Sequence, residues 1–407
     1  MDMMAMPPME MVKRALARTT ETLVRELGMA GPQAPQWSGF EWRAAMAAST
    51  IHGISALLAT RLRWAGPIEW QAFLAEQLAQ SIERERRIRV LRERIDMAAR
   101  EAGVALVGLK GTALMPLGLY RAGERPMSDI DLLVQETDFD AATQMIERLG
   151  YQRGAARRRH LDFQPLVKCA DPAFGEHPDN PIKIELHPRI AEPLPLIEAD
   201  ITALCWTAAP RPGLNAYPSR AALLRHLLLH AAGNLTSRSL RLMQLLDIVR
   251  LVPLLDDHEW AELEADLGWW AWPPLVMLGH YFPLHLPQAL VQRLQRECPR
   301  RLQGAMARQR LAAVSLCQME LAAFPGLGWS RSPAEALRYM ARRLLPERKE
   351  QVLVQQLARS DPVLTSTAWT GKSRAEKALR WVFTKPPRVQ SIYSVQKALA
   401  YRPSTLA

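Results

Sequence analysis

The sequence predicts an α+β protein in which a small sheet core is flanked by N-terminal and C-terminal helical segments. Two apolar runs, residues 104–109 and 130–134, have the length of buried strands, and residues 182–187 alternate apolar and polar side chains as a half-buried strand does. Long stretches before and after these runs have the apolar spacing of helices. The strands therefore form a compact centre between two mainly helical parts.

Breaks in this pattern predict four segments along the chain. They are an N-terminal helical segment (1–102), the sheet-containing core (103–210), a helical domain (211–345) and a basic C-terminal tail (346–407). The tail is expected to be partly helical, with a loosely ordered Pro-rich end.

The N-terminal segment is predicted to contain helices over residues 11–27, 40–62 and 68–102. In the third, arginines alternate with glutamates over residues 84–94 at helical spacing. We interpret this section as a salt-bridged, solvated helix face and prefer that interpretation to a nucleic-acid patch. In the helical domain, Ser219 is predicted to open a helix, and a second helix is predicted over residues 240–255.

Composition sets broad limits on function. With 407 residues, 48% of them hydrophobic and 23% charged, the chain is expected to be a globular protein with a large core. A net charge of +11 permits contact with phosphates, nucleic acid or an anionic membrane surface without choosing among them. Neither a signal peptide nor a membrane span is expected.

The cysteines indicate a reducing compartment. The four of them are widely spaced, without a Cys-x-x-Cys pair, which argues against a disulfide framework or a cysteine zinc site. We therefore expect a cytoplasmic protein. The four are Cys169, Cys205, Cys298 and Cys317.

Paired acids at the start of the second apolar run are the first chemical signal. Residues two apart in a strand point to the same face, so Asp129 and Asp131 present adjacent carboxylates while Ile130 faces away. Two neighbouring anions repel, and such a pair is usually tolerated because a cation binds between them. The alternating strand at 182–187 adds Glu185 as a third carboxylate, with His187 on the same face.

A glycine turn precedes these acids. After the strand at 104–109, Lys110, Gly111 and Thr112 form a turn into a predicted helix over residues 113–120. After the second strand, Thr137 is expected to cap another helix, which ends at Gly150. The segment 155–181 is predicted to be irregular.

Taken together, these motifs resemble the uncharacterised bacterial nucleotidyltransferases, a family within the DNA polymerase beta-like nucleotidyltransferase superfamily. The resemblance covers roughly residues 104–287 and implies a small mixed-sheet nucleotidyltransferase core. The motifs that carry it are Leu109-Lys110-Gly111, Arg125, Asp129-Ile130-Asp131, Gly150-Tyr151 and Glu185-Leu186-His187.

The resemblance also implies roles for these residues. Asp129, Asp131 and Glu185 would be catalytic and would bind Mg²⁺, expected as two ions with Mn²⁺ as an alternative. An NTP such as ATP would be the substrate, and its NMP group would pass to a hydroxyl or phosphate of an acceptor. Residues expected to contact the nucleotide or to orient the site are Lys110, Gly111, Thr112, Arg125 and His187.

Several alternatives stay open from the sequence. A phosphotransferase could use the same metal site, and a non-catalytic nucleotide-binding or regulatory protein could keep the fold. Arg125 could pair with a nearby acid instead of phosphate, and His187 could be a packed histidine. His160 is a weaker site candidate, and the roles of His226, His230 and Asp247 are undetermined. The acceptor could be a small molecule, a peptide or a polysaccharide precursor. Nucleic acid is not favoured, and the sequence does not give the oligomeric state.

Overall fold

A computed structural model describes residues 7–29, 33–156, 159–167, 174–320, 324–344 and 388–402. It confirms the α+β prediction, since a mixed six-stranded sheet lies between helical N-terminal and C-terminal segments. The strands are β1 (Ala105–Gly108), β2 (Asp129–Val134), β3 (Tyr151–Ala156), β4 (Leu161–Pro165), β5 (Lys183–His187), β6 (Ala191–Pro193), β7 (Glu198–Asp200) and β8 (Gly213–Asn215). The helices before the second strand are α1 (Met9–Gly28), α2 (Gly39–His52), α3 (Ser55–Arg61), α4 (Ile68–Glu101) and α5 (Gly111–Leu114).

The later helices are α6 (Phe139–Arg148), α7 (Arg220–Ser237), α8 (Leu242–Leu251), α9 (Asp257–Asp266), α10 (Trp272–Gly279), α11 (Gln288–Glu297), α12 (Arg300–Arg308), α13 (Leu311–Val314), α14 (Pro333–Leu344) and α15 (Val389–Ala400). None of the helices in the described ranges is both long enough and apolar enough to cross a membrane.

The main sheet has the strand order β3-β4-β5-β2-β1-β8. Its centre is the parallel pair β2 and β5, flanked by β1 antiparallel to β2 and β4 antiparallel to β5. One face packs on α4 and α6 through an apolar cluster that includes Ile95, Ile130 and Ile184. The acids predicted on β2 and β5 alternate with these apolar residues, so they occupy the opposite face.

The prediction of one helix over residues 40–62 is wrong. The chain forms α2 and α3, separated by Gly53, which adopts a left-handed conformation with φ of +68°. Glycine populates that region without steric cost, so it ends α2 although the apolar spacing continues beyond it. The predicted long helix at 68–102 is confirmed as α4.

The Arg-rich face of α4 has one exception to its predicted solvation. Glu83 and Glu85 pair with arginines three or four positions later, as expected. Arg84, in contrast, is 3% exposed and donates hydrogen bonds to the carbonyl oxygens of Met127, His177 and Asn180. It therefore anchors the loops before β2 and β5 to the helix.

Three local predictions near the core need correction. The helix expected over 113–120 is α5 followed by a short 3-10 helix (Met115–Leu117), because Gly118 takes a left-handed conformation. Thr137 lies inside a 3-10 helix, and α6 begins after Asp138 without a side-chain cap. Segment 155–181 is not wholly irregular, because it contains β4. The end of α6 at Gly150, with φ of +92°, is confirmed.

The helical part after the sheet begins as predicted. The Ser219 hydroxyl accepts a hydrogen bond from the Ala222 backbone N–H and caps α7. The helix predicted over 240–255 is α8 followed by a 3-10 helix (Val252–Leu254). In the C-terminal tail, α15 packs on α2, while residues 345–387 lie outside the described residues.

Candidate active site

Asp129 and Asp131 lie on one face of β2, at the centre of the sheet. Between and after them, Ile130 and Leu132 are fully buried on the other face, as the strand period requires. Asp131 is 5% exposed and Asp129 is half-buried. The strand therefore holds two carboxylates side by side.

Strand β5 adds a third carboxylate and an imidazole. In the parallel register between β2 and β5, Glu185 is the partner of Asp131. His187, two residues further along the same face, donates from Nε2 to Asp131 Oδ1 at 3.0 Å, and the same nitrogen lies 3.7 Å from Glu185 Oε2. The sheet thus gathers Asp131, Glu185 and His187, although they are distant in sequence.

Lys110 and Gly111 form a tight turn above β2. The Lys110 ammonium donates to Asp131 Oδ1 at 2.7 Å. Its backbone has φ of +48°, a region that residues with a Cβ rarely adopt and that is often found at functional sites. A Cβ on Gly111 would lie 2.3 Å from Arg125 Nη1, so only glycine permits this approach.

The two aspartates have opposite electrostatic environments. Burial, together with the negative charges of Asp131 and Glu185, raises the pKa of Asp129 to about 6. Burial also acts on Asp131, but Lys110 and His187 outweigh it and hold the pKa of Asp131 well below its ordinary value. In the described residues, no Lys or Arg side chain forms an ion pair with Asp129. The charge of Asp131 is therefore neutralised by neighbouring groups, whereas the charge of Asp129 is a surplus negative charge without such a partner among the residues described.

Arg125 is paired with an acid of the helical part. Its guanidinium donates to both carboxylate oxygens of Asp247 on α8, at 2.8 and 2.7 Å. The Tyr120 hydroxyl donates to Asp247 Oδ1 at 2.8 Å as well. Of the two alternatives from the sequence, the structure shows pairing with an acid, and it gives Asp247 a partner that sequence reasoning did not find.

Thr112 does not lie with the acids and Lys110. Its side chain is 2% exposed, contacts Gly108 on β1 and leaves its hydroxyl without a hydrogen-bond partner in the described structure. It borders a separate cavity, beside Tyr217 and Arg220. Its own backbone N–H donates to the Leu109 carbonyl at 2.9 Å.

The acids open onto a cavity of about 430 Å³ between the sheet and the helical part. The core side of its lining includes Lys110, Gly111, Arg125, Asp129, Asp131 and Glu185. The opposite wall comes from α7 and α8 and from the turn that joins them, and it includes Leu227, His230, Asn234, Arg241, Gln244 and Asp247. The sheet and the helices after it therefore border the same cavity.

The histidines on α7 have partners other than metal. The Tyr217 hydroxyl contacts His226 Nδ1 at 2.5 Å, and His230 Nε2 accepts from Asn234 and Gln244. Glu192 lies 3.7 Å from His230 Nδ1. Burial lowers the pKa of both imidazoles, so they are neutral hydrogen-bonding groups, and of the two His230 lines the cavity.

Sequence reasoning missed Arg241 and Asp162, and it named His160 only as a weaker candidate. Arg241 is exposed and borders the cavity, where its charge lowers the pKa of Asp129, but a lone arginine between two helices gave no signal. His160 and Asp162 lie beside Glu185, because β4 pairs with β5 in an antiparallel register. Only recognition of β4 as a strand could have brought them there.

Comparison with known proteins agrees with the motifs. No curated protein and no solved structure matches the chain. One family profile, described as an uncharacterised nucleotidyltransferase, matches residues 38–283, which is more than half of the chain. The match begins before α2, so it includes N-terminal helices that the motifs did not cover. The chain belongs to this family of uncharacterised nucleotidyltransferases.

Proposed function

We propose that the protein is a metal-dependent nucleotidyltransferase that moves an NMP group from an NTP to a hydroxyl or phosphate of an acceptor. Family membership supports nucleotidyl transfer in general. The observation that carries the proposal for this chain is the surplus charge at Asp129, whose pKa is raised to about 6 beside two further carboxylates. A half-buried anion with anionic neighbours is stabilised when a cation binds to it.

The donor set fits a hard divalent cation. Carboxylate oxygens are the ligands that Mg²⁺ prefers, and Asp129, Asp131 and Glu185 offer them on adjacent strands. When bound, Mg²⁺ would neutralise negative charge on the phosphoryl oxygens of the nucleotide. Mn²⁺ shares this ligand preference and would substitute for it.

The basic groups of the cavity would hold the triphosphate. Lys110 supplies an ammonium at the turn, and Gly111 leaves room for the Arg125 guanidinium beside it. Arg241 adds an exposed guanidinium on the opposite wall. Arg125 would act mainly by fixing the turn to α8, because two nitrogens of its guanidinium already donate to Asp247. Thr112 keeps no role in this proposal.

Glu185 and His187 would act on the acceptor side. The His187 imidazole, 3.7 Å away, lowers the pKa of Glu185 against the effect of burial, which keeps the carboxylate ionised at neutral pH. An ionised carboxylate within reach of an acceptor hydroxyl can take its proton during attack on the alpha-phosphorus. His187 would orient Glu185 and Asp131, since its Nε2 lies within 3.7 Å of both.

The acceptor would bind against α7 and α8. The core side of the cavity holds the acids and the basic turn, and the polar side chains Asn234, Ser239 and Gln244 line the other wall. A polar wall suits an acceptor that carries hydroxyl or phosphate groups.

Water can replace the acceptor in a slow side reaction, and its products reveal which phosphorus is attacked. With ATP and Mg²⁺ alone, the proposal predicts AMP and pyrophosphate, with the label of gamma-labelled ATP found in pyrophosphate. Asp131→Asn should remove this activity, while Asp140→Asn, a change at an exposed acid on α6, should retain it. Formation of ADP and inorganic phosphate that depends on Asp131 would indicate a phosphotransferase instead.

A further inference from the structure

Two imidazoles and one carboxylate meet at the edge of the proposed active site. Glu185 and His187 lie on one face of β5, two residues apart. His160 immediately precedes β4, and the antiparallel register that pairs Leu161 with Leu186 brings His160 opposite His187. The ring centroids of the two histidines are 4.9 Å apart.

The three side chains converge on one point. His160 Nε2 lies 3.6 Å and His187 Nε2 lies 3.7 Å from the same atom, Glu185 Oε2. One potential ligand atom from each residue falls within 4.8 Å of the others. A metal ion with bonds of about 2.1 Å holds its ligand atoms roughly 3.4 Å apart in a tetrahedral site. Small side-chain movements would therefore complete such a site.

The hydrogen bonds around His160 are incomplete. Both of its ring nitrogens are shielded from solvent and make no hydrogen bond within the described part of the chain. Its Nε2 lies 2.8 Å from Asp162 Oδ1, but the contact lacks the alignment of a hydrogen bond. Shielded polar nitrogens without hydrogen bonds are rare, and a bound ligand is one reason for them.

The nearest cations are engaged elsewhere. The Lys110 ammonium is bound to Asp131, and the Arg159 guanidinium is paired with Glu192. The cluster therefore places the Glu185 carboxylate beside two imidazoles, with Asp162 next to His160. Imidazole nitrogens favour zinc and other divalent transition metals, whereas Mg²⁺ prefers oxygen ligands.

We propose that His160, Glu185 and His187 bind a divalent transition metal ion of the zinc class, at a site separate from the carboxylate pair of β2. Glu185 borders both sites, and only in this respect does the inference rest on the proposed function. The bound ion would fix the Glu185 carboxylate and the His187 ring. In the metal-free protein His187 Nε2 donates to Asp131, so on binding the ion this nitrogen would release its proton to solvent and give up that hydrogen bond.

Zinc binding without nucleotide tests the proposal. The full-length protein is stripped with a chelator and dialysed against limiting Zn²⁺ in a large excess of Mg²⁺, and retained zinc is counted by elemental analysis. We expect one tightly held zinc ion per chain. His160→Asn should weaken zinc binding by at least about tenfold, since a lost ligand costs more than a lost supporting partner. His258→Asn, at an exposed histidine of α9, should leave it unchanged.

Cobalt supplies a second readout. The Co²⁺-loaded wild type should show the visible absorption of a low-coordinate nitrogen and oxygen site, and His160→Asn should lose it. His187→Asn provides a parallel test, with a thermal melt to confirm folding because His187 also contacts Asp131. Failure of the wild type to retain zinc over Mg²⁺, or unchanged zinc affinity in folded His160→Asn, would overturn the proposal. Neither result depends on ATP cleavage, which tests the proposed function separately.

Discussion

Glu124 and Asp129 are acids only five positions apart, but their surroundings affect them in opposite ways. Glu124 is fully buried and receives hydrogen bonds from the Thr60 hydroxyl, the Arg61 guanidinium and the Arg121 backbone N–H. Although burial opposes ionisation, these contacts lower the pKa of Glu124. Burial and anionic neighbours raise the pKa of Asp129 to about 6.

The comparison separates an acid that stabilises the fold from acids suited to binding. Glu124 joins α3 to the loop after α5, and Arg250 of α8 lies 3.4 Å from it, so its charge is used within the protein. The raised pKa of Asp129 means that ionising it opposes folding in the absence of metal, and under the proposed function a bound cation would offset this cost. Replacing Glu124 by its amide should therefore lower stability, whereas replacing Asp129 by its amide should lower activity.

The largest expected effect is loss of turnover in Asp129→Asn. Removing a metal-binding carboxylate should lower the rate of ATP cleavage about 100- to 1,000-fold, as loss of one strong electrostatic contact in an active site often does. The rate is measured at saturating Mg²⁺ and ATP on protein whose folding is verified by circular dichroism. Glu124→Gln serves as the comparison and should keep near wild-type turnover at a temperature where it is folded.

Glu124→Gln should show the largest loss of stability. The change leaves two arginines near a neutral amide in a buried site, and breaking a buried ion pair costs about 3 kcal/mol. Partial exposure of the Arg61 side chain, 40%, reduces that figure to about 2 kcal/mol. Urea unfolding monitored by tryptophan fluorescence measures it. A stability equal to that of the wild type would show that the Glu124 contacts do not support the fold.

The two site aspartates should shift stability in opposite directions in chelator. Asp129→Asn removes a surplus anion and should raise the free energy of unfolding at pH 7.5. Asp131→Asn removes the partner of Lys110 and His187 and should lower it. Thermal melts that move in the same direction for both variants would contradict this division of roles.

A smaller effect should appear at His52, far from any acid pair. Its Nδ1 accepts a hydrogen bond from the Leu242 N–H at 3.0 Å, and burial lowers its pKa from 6.5 to about 3. The unfolded chain therefore binds the proton more readily below pH 6.5, so stability falls as the pH drops from 6.5 towards 3. This group contributes at most about 1.4 kcal/mol for each pH unit.

The matched variant for this effect is His52→Asn, which keeps a hydrogen-bond acceptor but does not titrate. Unfolding free energies at pH 7 and pH 5 should differ less in the variant than in the wild type. Equal pH dependence in the two proteins would show that His52 is not the responsible group.

How much of this was available from the sequence depends on the range of the interactions involved. Strand alternation is local, so it correctly predicted that Asp129 and Asp131 share a face, and that Glu185 and His187 share one. The break between α2 and α3 depends on the left-handed conformation of Gly53, which the apolar spacing concealed. The other features of the site depend on contacts between segments that are distant in sequence.

Three residues illustrate those distant effects. Arg84 looked like part of a solvated face, but loops from the core bury it. Arg125 could have bound phosphate or an acid, and Asp247 reaches it only because α8 packs beside the turn. His160 joined the site through the pairing of β4 with β5, in a segment whose prolines and basic residues gave no strand pattern.

Metal location in crystals tests the central claim most directly. The full-length protein would be crystallised with Mn²⁺ in place of Mg²⁺ and a non-hydrolysable ATP analogue, and the metal would be located by anomalous scattering. The proposed function predicts a manganese ion within about 2.1 Å of a carboxylate oxygen of both Asp129 and Asp131, with the triphosphate between Lys110 and Arg241. An analogue bound elsewhere, with no metal at Asp129, would contradict it.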